Sequence, residues 1–193
     1  MQTDGSQIDP RHWLTAHGDV LYRYALKHVR DRVLAEDLVQ DALLAAWKAR
    51  DTFDGRSQER TWLIGILRHK ILDYFRRQYR ERPAADDVWF DRAADNDRFD
   101  DRGTWQRRPG SWDQDPEQAV HDAQFRQALA DCVSLLPDAM ATAFTLRHDD
   151  ELDTDDICKA LNISSTNLYV ILYRARARLR DCLEEHGHGV THA

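Results

Sequence analysis

The sequence has few cysteines, no long apolar run and no secretory signal. Its three cysteines are too few and too scattered for a disulfide framework, and we predict that they are reduced, small residues of the core: Cys132, Cys158 and Cys182. No stretch approaches the roughly 18 to 20 apolar residues that a membrane helix needs. The N-terminus has no basic segment followed by an apolar one, as a secretory signal would. We therefore expect a cytoplasmic protein.

Catalytic signatures are missing as well. The sequence contains no glycine-rich phosphate loop, no GxSxG elbow and no HExxH motif. Carboxylates are abundant, but nothing singles out a catalytic pair among them. We therefore predict that the protein is not an enzyme and that it carries no cofactor.

Charge is distributed unevenly, although the net charge of −7 argues at first against nucleic-acid binding. Residues 56–82 hold seven arginines and one lysine against three acidic residues, and residues 164–180 hold four arginines and no acidic residue. Residues 83–120 hold ten acidic residues and five arginines. Two basic blocks therefore flank an acidic connector, and a basic patch can bind DNA even in an acidic protein.

Apolar residues recur at steps of three and four through most of the chain, and we find no convincing strand. We predict an all-α protein of two small helical domains joined by a flexible acidic linker. The predicted segments are a disordered N-terminus over 1–10, a helical domain over 11–82, the linker over 83–116, a second helical domain over 117–186 and a disordered tail over 187–193. The linker is rich in aromatic residues, which either bind a partner or fold back on the helical domains: Trp89, Phe90, Phe99, Trp105 and Trp112.

An acidic helix is predicted over residues 35–47. Asp37, Gln40, Asp41 and Leu44 follow one another at i, i+3, i+4 and i+7, so they share one face. A face of carboxylates, an amide and one exposed leucine suits docking to a protein. The alternative is a merely solvated acidic face.

A basic helix follows over residues 60–77. Four of its cations can engage phosphates: Arg68, Lys70, Arg76 and Arg77. Aromatic rings are interleaved with them, an arrangement that single-stranded DNA binding uses because unstacked bases can rest on a ring face: Trp62, His69, Tyr74 and Phe75. The alternative is that Trp62 and Phe75 belong to the core and that the charges only solubilise the helix.

A helix-turn-helix is predicted in the second domain. A short helix over 156–161, capped by Asp153 or Thr154, leads through a turn at 162–164 into a long helix. Ser164 or Ser165 is expected to cap this long helix, which runs to about residue 185. Side chains near the start of the long helix are expected to reach base edges: Ser165, Thr166, Asn167, Tyr169 and Val170. Arginines further along suit phosphates: Arg174, Arg176, Arg178 and Arg180. The alternative is an ordinary solvated helix pair in a bundle.

The tail carries ligand-type residues at ligand-type spacing: Cys182, His186, His188 and His192. The segment is short, terminal and rich in glycine. We therefore favour a disordered end and predict no bound metal, with a metal-responsive tail as the alternative.

The two halves together resemble the sigma-70 family, in its extracytoplasmic-function (ECF) group. Residues 14–82 resemble region two of that family, through 35–41, 46–47, Phe53, 60–63 and 73–77. Residues 117–185 resemble region four, through 135–137, Ile157, 160–164 and 172–179. Both regions occur in the expected order, and that coincidence is more specific than either motif alone.

The resemblance implies an alternative sigma factor that binds core RNA polymerase and directs promoter recognition, melting of the −10 element and transcription initiation. Residues of the acidic helix would grip the β′ coiled coil: Asp37, Leu38, Gln40, Asp41 and Leu44. The next segment would recognise and open the −10 element, with a loop near 54–60 that captures a flipped base: Asp54, Arg56, Arg60, Thr61, Trp62, Arg68, His69, Lys70, Arg76 and Arg77.

The resemblance further implies that the helix-turn-helix reads the −35 element as duplex and docks on the β flap. The residues that would do so are Ser164, Ser165, Thr166, Asn167, Tyr169, Val170, Arg174 and Arg176. The acidic linker would thread toward the RNA exit channel. An anti-sigma factor is expected as a further partner, and the free protein is expected to be a monomer. The alternative function is a stand-alone helix-turn-helix transcriptional regulator, which would need a dimerisation element, and no heptad seam is visible.

The recognition helix departs from the pattern of many relatives, which carry Lys or Arg in its first turns. Here that stretch, residues 166–171, has no basic residue. The −35 sequence therefore does not follow by analogy.

Overall fold

The structure is a computed structural model that describes residues 9–80, 123–148, 150 and 152–188. All regular structure among these residues is helical, which confirms the predicted all-α class. The predicted linker over 83–116, with its five aromatic residues, lies outside the described residues. The predicted disordered N-terminus does too, except for Asp9 and Pro10, which begin a short 3₁₀-helix. Among the helices of the described ranges, none combines the length and apolarity that crossing a membrane requires.

The described helices fall into two compact units. The N-terminal unit contains α1 (Trp13–Val29), α2 (Arg32–Ala49) and α3 (Glu59–Arg80), and each of the three packs against the other two. Short 3₁₀-helices, Pro10–His12 and Arg50–Thr52, precede α1 and follow α2. Helices α2 and α3 contain the predicted acidic helix over 35–47 and the predicted basic helix over 60–77.

A tight turn joins α1 to α2. Arg30 ends α1 in the left-handed conformation, with φ of 56°, and its N–H donates to the Leu26 carbonyl at 2.9 Å. Asp31 then caps α2, since its carboxylate accepts from the Leu34 N–H at 3.0 Å. A backbone that reverses within two residues leaves α1 and α2 close enough to pack side by side.

The core of the N-terminal unit combines large aliphatic residues with alanines. Leu21, Leu63, Leu67 and Ile71 are almost completely shielded from solvent. The alanines of α1 and α2 that face them are buried too and let the helix backbones approach closely: Ala25, Ala35, Ala42 and Ala46. Phe75 is also buried, so the alternative that placed this ring in the core is confirmed.

The C-terminal unit contains α4 (Ala123–Ser134), α5 (Asp138–His148), α6 (Thr154–Leu161) as far as Cys158, and α7 (Ser165–Leu183). Helix α7 packs against both α4 and α5. A short π-helical turn, Glu184–His188, continues the chain after α7, and its Gly187 adopts a φ of 78°.

Local side-chain bonds set the boundaries of α6 and α7. Asp153 caps α6 by accepting from the Asp156 N–H at 2.8 Å, and Ser164 caps α7 by accepting from the Asn167 N–H at 3.2 Å. Arg147 holds the connection before α6, because its guanidinium donates to the Leu152 carbonyl and to Thr154 Oγ1. The capping residues are among those that the sequence predicted for these two helices.

Two of the three cysteines form a disulfide, so the prediction that all are reduced is wrong. Cys132 on α4 is bonded to Cys182 near the end of α7, across 50 residues of sequence. Cys158 on α6 is a free thiol. The prediction rested on the count and the spacing of cysteines, whereas the packing of α4 on α7 brings two distant sulfur atoms together.

Candidate protein and nucleic-acid interfaces

The acidic face of α2 consists of Asp37, Gln40, Asp41 and Leu44, and all four side chains are exposed. Leu44 is 58% exposed and contributes an apolar side chain to this otherwise polar face. Leu38, predicted to join this surface, is 7% exposed and belongs to the core instead. The reason is helical phase, since Leu38 lies one turn from both Ala35 and Ala42, which are buried.

Trp47 extends this surface, although the sequence analysis did not include it among the residues expected to bind core polymerase. It lies one turn after Leu44 and is 52% exposed. The Arg50 guanidinium lies 5.0 Å from the centre of its ring, within cation–π range. Extending the i+3 spacing from Leu44 would have found it. Together Leu44 and Trp47 form an apolar patch at the end of the acidic face.

The loop between α2 and α3 is shaped by Asp54. Its carboxylate accepts from the Arg56 N–H at 3.1 Å and pairs with the Arg56 guanidinium at 2.6 Å. The backbone hydrogen bond from Arg56, together with the guanidinium charge, lowers the pKa of Asp54. Gly55 between them has a φ of 70°, a conformation that suits glycine. The predicted loop residues Asp54 and Arg56 are thus exposed to solvent, and they form a hydrogen bond and an ion pair with each other.

An aromatic cluster supports the start of α3. Trp62 is half-buried between Phe53, whose ring centre lies 5.3 Å away, and Trp13 of α1, at 5.9 Å in an edge-on arrangement. Trp13 Nε1 donates to Glu59 Oε1 at 2.5 Å, and His17 Nε2 lies 3.1 Å from the other carboxylate oxygen. Glu59 therefore ties α1 to the first turn of α3. Sequence reasoning missed this link, because partners 42 and 46 residues apart leave no local pattern.

The outer face of α3 is defined here by Trp62, His69 and Arg76, which recur at steps of seven. His69 is exposed and its Nδ1 donates to the Gly65 carbonyl at 2.8 Å, which leaves Nε2 turned outward. Arg76 donates to Asp73 Oδ1 at 2.8 Å within the helix. The other predicted residues of α3 lie around this face, either exposed, as Arg60, Thr61 and Arg77 are, or half-buried, as Arg68 and Lys70 are.

The helix-turn-helix is formed by α6, a three-residue turn and α7, as predicted. Asn162 takes the left-handed conformation in the turn, with φ of 54°, which asparagine tolerates. The Ile163 N–H donates to the Cys158 carbonyl at 3.2 Å and closes the turn. Ile157 and Leu168 are fully buried, so the two helices enclose an apolar interior.

The exposed stripe of α7 consists of Thr166, Tyr169, Tyr173 and Arg176. Tyr173 was not predicted as a contact residue, although it lies seven residues after Thr166 and is 38% exposed. The cap Ser164 and its neighbour Ser165 are exposed next to this stripe, and Val170 and Arg174 are half-buried beside it.

Asn167 departs from the predicted set of base-reading residues. It is 6% exposed, and its N–H donates to the Ser164 cap. Asn167 precedes the buried Leu168 and lies one turn before Ile171, so helical phase turns it inward. Its side chain is therefore buried in the interior of the unit.

The chain's potential metal ligands meet at the end of α7. Cys132, Cys182 and His186 place their ligand atoms within 4.8 Å of one another. Both sulfur atoms are engaged in the disulfide, and His186 Nδ1 lies 2.8 Å from the Cys182 carbonyl. The side chains of His188 and His192, the other members of the predicted tail motif, lie outside the described residues. In this arrangement the donor atoms of the cluster are occupied by one another.

Both halves of the chain match known family models. Residues 13–81 match "Sigma-70 region 2" and residues 126–179 match "Sigma-70, region 4". These matches include α1 to α3 in the first case and most of α4 to α7 in the second.

Full-length relatives agree with these matches. A probable RNA polymerase sigma factor of Haemophilus influenzae is 35% identical over 84% of this chain and 83% of its own length. The ECF RNA polymerase sigma factor SigM of Bacillus subtilis is 29% identical over 83% and 86%. The ECF RNA polymerase sigma-E factor of Escherichia coli is 29% identical over 72% of this chain and 69% of its own length.

A solved structure of the sigma factor RpoE with the anti-sigma factor NepR from Bartonella quintana covers 90% of this chain and 96% of its own. Its TM-score of 0.42 at 22% identity is too weak to add to these matches.

Proposed function

Because this chain belongs to the sigma-70 family of RNA polymerase sigma factors, in the ECF group, we propose that each of its units contributes a separate contact to transcription initiation. The N-terminal unit binds core RNA polymerase and opens the −10 element. The C-terminal unit reads the −35 element. The observation that carries the proposal is that three helices present exposed side chains: the acidic face of α2, His69 and Arg77 of α3, and the exposed stripe of α7.

Core binding is assigned to the acidic face of α2 with Trp47. Carboxylates and an amide give polar complementarity to a basic partner, and the exposed Leu44 and Trp47 supply apolar area at one end. Tryptophan is a frequent hot-spot residue, because a large ring buries much surface at low entropic cost. Leu38 acts only by supporting this helix from inside.

Strand opening is assigned to the 53–60 loop and the outer face of α3. Extracting one base from the stack costs about a few kcal/mol, which a pocket must offset. The loop residues Asp54 and Arg56 supply polar groups, and the outer face supplies the His69 ring and the Arg76 guanidinium for the separated strand. Trp62, held between Trp13 and Phe53, acts mainly as a rigid support for this surface.

Duplex reading is assigned to the exposed stripe of α7. Short polar groups and tyrosines near the helix N-terminus reach base edges, and Arg176 reaches phosphate. The helix N-terminus itself favours a phosphate nearby. We expect an anti-sigma factor to compete for these surfaces. The stand-alone regulator is not favoured, since it leaves the region 2 match and the acidic face without a role.

The test is run-off transcription with purified core RNA polymerase, this protein and a randomised promoter library in the −35 and −10 windows. We expect enrichment of templates that share two motifs at a fixed spacing. Core enzyme alone and this protein alone are the controls. If no template yields a product that depends on this protein, the proposal is wrong.

A matched pair of variants tests the docking face separately. Asp41→Arg places a like charge against a basic partner and should weaken core binding by about a hundredfold or more, because such juxtaposition costs several kcal/mol. Asp19→Arg changes an exposed aspartate on α1 by the same charge and should bind core normally. Affinity is measured by fluorescence anisotropy, and circular dichroism checks that both variants fold. Normal core binding by the Asp41 variant would contradict the assigned face.

A further inference from the structure

The disulfide spans the part of the C-terminal unit that contains the helix-turn-helix. Cys132 lies in α4 before it, and Cys182 lies in the last turn of α7 after it. The bond therefore closes a loop around α5, α6 and most of α7. Closing a loop of 50 residues removes many conformations from the unfolded chain and favours the folded unit.

The two sulfur atoms differ in accessibility. Cys132 is 1% exposed, whereas the Cys182 side chain is half-buried. Reduction leaves two small apolar thiols in these positions, so the unit can keep its packing without the bond. Of these two cysteines, Cys182 is therefore the one that a dissolved oxidant reaches directly.

His186 is placed to assist the sulfur chemistry. Its Nδ1 lies 3.8 Å from the Cys182 sulfur, 3.9 Å from the Cys132 sulfur and 2.8 Å from the Cys182 carbonyl oxygen. A carbonyl oxygen only accepts, so Nδ1 carries the hydrogen. An N–H dipole near sulfur stabilises a thiolate and offsets the negative end of α7. The same hydrogen leaves no lone pair on Nδ1 for a metal.

Cys158 provides an internal contrast. It is also in the C-terminal unit, but it is unpaired, and burial together with the Asp155 carboxylate raises the pKa of its thiol. A higher pKa leaves less thiolate at neutral pH, and the thiolate is the reactive species. Cys158 therefore serves as a matched, poorly reactive cysteine.

We propose that Cys132 and Cys182 form a reversible thiol–disulfide switch. Oxidation links α4 covalently to α7 and stabilises the helix-turn-helix. The proposal rests on the proposed function in one respect: a factor that works on RNA polymerase lies in the cytoplasm, where thiols are kept reduced and disulfides are transient. The signal would then be a peroxide or an oxidised low-molecular-weight thiol.

A peroxide oxidises the pair in two steps. The Cys182 thiolate attacks one peroxide oxygen, so an S–O bond forms, the O–O bond breaks and hydroxide leaves. The Cys132 thiolate then attacks the Cys182 sulfur, so the S–S bond forms, the S–O bond breaks and a second hydroxide leaves. Two thiols lose two electrons and two protons, and one peroxide becomes two waters. Reduction by a dithiol reverses the change.

The first test follows the thiols of the full-length protein. Reduced protein is treated with hydrogen peroxide or glutathione disulfide, and the remaining thiols are counted by maleimide labelling and intact mass. We expect one thiol to remain, a mass loss of about 2 Da and a Cys132–Cys182 peptide. Cys158→Ser should keep the pair, whereas Cys132→Ser and Cys182→Ser should lose it. Three thiols after oxidation, or a bond to Cys158, would overturn the proposal.

The order of attack and the part played by His186 are tested with single variants. Cys132→Ser should trap a sulfenic acid on Cys182 that dimedone labels, and Cys182→Ser should leave Cys132 unlabelled. His186→Ala should slow oxidation of Cys182 by about tenfold at neutral pH, since less thiolate is present, while His148→Ala should leave it unchanged. A label on Cys132 alone would show that the assigned order is wrong.

The competing outcome is a metal site. Reduced protein is dialysed against zinc and its metal content is measured. One equivalent of bound zinc that both Cys132→Ser and Cys182→Ser lose, and that blocks oxidation of the wild type, would replace the switch by a metal centre. No bound zinc, with rapid oxidation, supports the switch.

The second test measures how the disulfide changes the stability of the C-terminal unit and the yield of transcript. Hydrogen-exchange mass spectrometry during heating should place the unfolding midpoint of the C-terminal unit on the order of 10 °C higher in oxidised than in reduced protein. Between the two midpoints, oxidised protein should support about tenfold more transcript from a promoter that needs its −35 element. Equal unfolding midpoints of oxidised and reduced protein would contradict the stabilising role of the disulfide. The thiol and exchange measurements need no polymerase, so failure of the proposed transcription role would leave their results unchanged.

Discussion

The N-terminal unit contains no cysteine, whereas the C-terminal unit contains all three. The first is tied together by Trp13, Glu59 and Trp62, through an indole–carboxylate hydrogen bond and ring contacts. The second carries a covalent bond between α4 and α7. Hydrogen bonds and ring contacts do not respond to thiol reagents. This difference predicts that a change in thiol redox state alters the stability of the C-terminal unit and leaves that of the N-terminal unit unchanged.

The largest expected effect comes from cavities in the two cores. Leu67→Ala in the N-terminal unit and Leu168→Ala in the C-terminal unit each remove a fully buried leucine and should each cost about 2–5 kcal/mol. Only Leu168→Ala should become markedly worse when a reductant is added, because its unit also loses the disulfide. Peptide-resolved hydrogen exchange in denaturant measures both. If a reductant lowered the stability of the N-terminal unit in Leu67→Ala, the expected difference between the two units would be contradicted.

The hydrogen bond between α1 and α3 is expected to contribute less. Glu59→Ala leaves the Trp13 indole N–H without its acceptor in a ring that is 2% exposed, and should cost about 1–3 kcal/mol. Glu59→Gln keeps an acceptor oxygen and serves as the matched control. Urea unfolding, followed by fluorescence of the N-terminal unit's tryptophans, gives both values. Equal losses in the two variants would mean that the carboxylate charge matters more than the hydrogen bond.

Phosphate contacts should separate the units by promoter element. Arg76→Ala and Arg176→Ala should each weaken promoter complexes and lower the slope of log K against log salt by about one. On a template without a −35 element, Arg176→Ala should have no effect, whereas Arg76→Ala should keep its effect. Filter binding of the polymerase complex between low and moderate salt measures the slopes. Identical behaviour of both variants on the shortened template would contradict the assignment of elements to units.

Helix caps should have the smallest effect and should not distinguish the units. Asp31 caps α2 and Ser164 caps α7 by the same type of bond to a backbone N–H. Replacing either by Ala should cost about 1 kcal/mol in its own unit. Ser165→Ala, next to the cap, should change stability by less than half of that. Hydrogen exchange of each unit provides the measurement, and a Ser165 effect as large as that of Ser164 would reassign the cap.

Local features of the fold were predictable because their physics is local. The caps Asp153 and Ser164 act on an N–H three residues later, so a reader of the sequence can name them. The two helical domains follow from apolar steps of three and four. The acidic face was predictable for the same reason. Leu38 is the exception, because it follows Asp37 in the sequence but lies on the buried side of the helix with Ala35 and Ala42.

The recognition helix illustrates the limit of such reasoning. Its start was predicted as a run of exposed side chains, yet a helix turns by about 100° per residue, so a consecutive run cannot share one face. Asn167 is therefore inward and Tyr173 outward. The seven-residue step from Thr166 leads to Tyr173 and would have included it. The one-turn step from Asn167 to the apolar Ile171 would have placed Asn167 on the buried side.

The helical class, the two sigma-70 regions in their order, the acidic face and the basic helix could all be read from the amino-acid sequence. Each of these depends on residues within two turns of one another or on motifs that are continuous in the chain. The hydrogen bond from Trp13 to Glu59 and the pairing of Cys132 with Cys182 join residues 46 and 50 positions apart, and they became visible in the folded chain. Such contacts arise when whole helices pack, and no periodicity along the chain records which residues of two packed faces will meet.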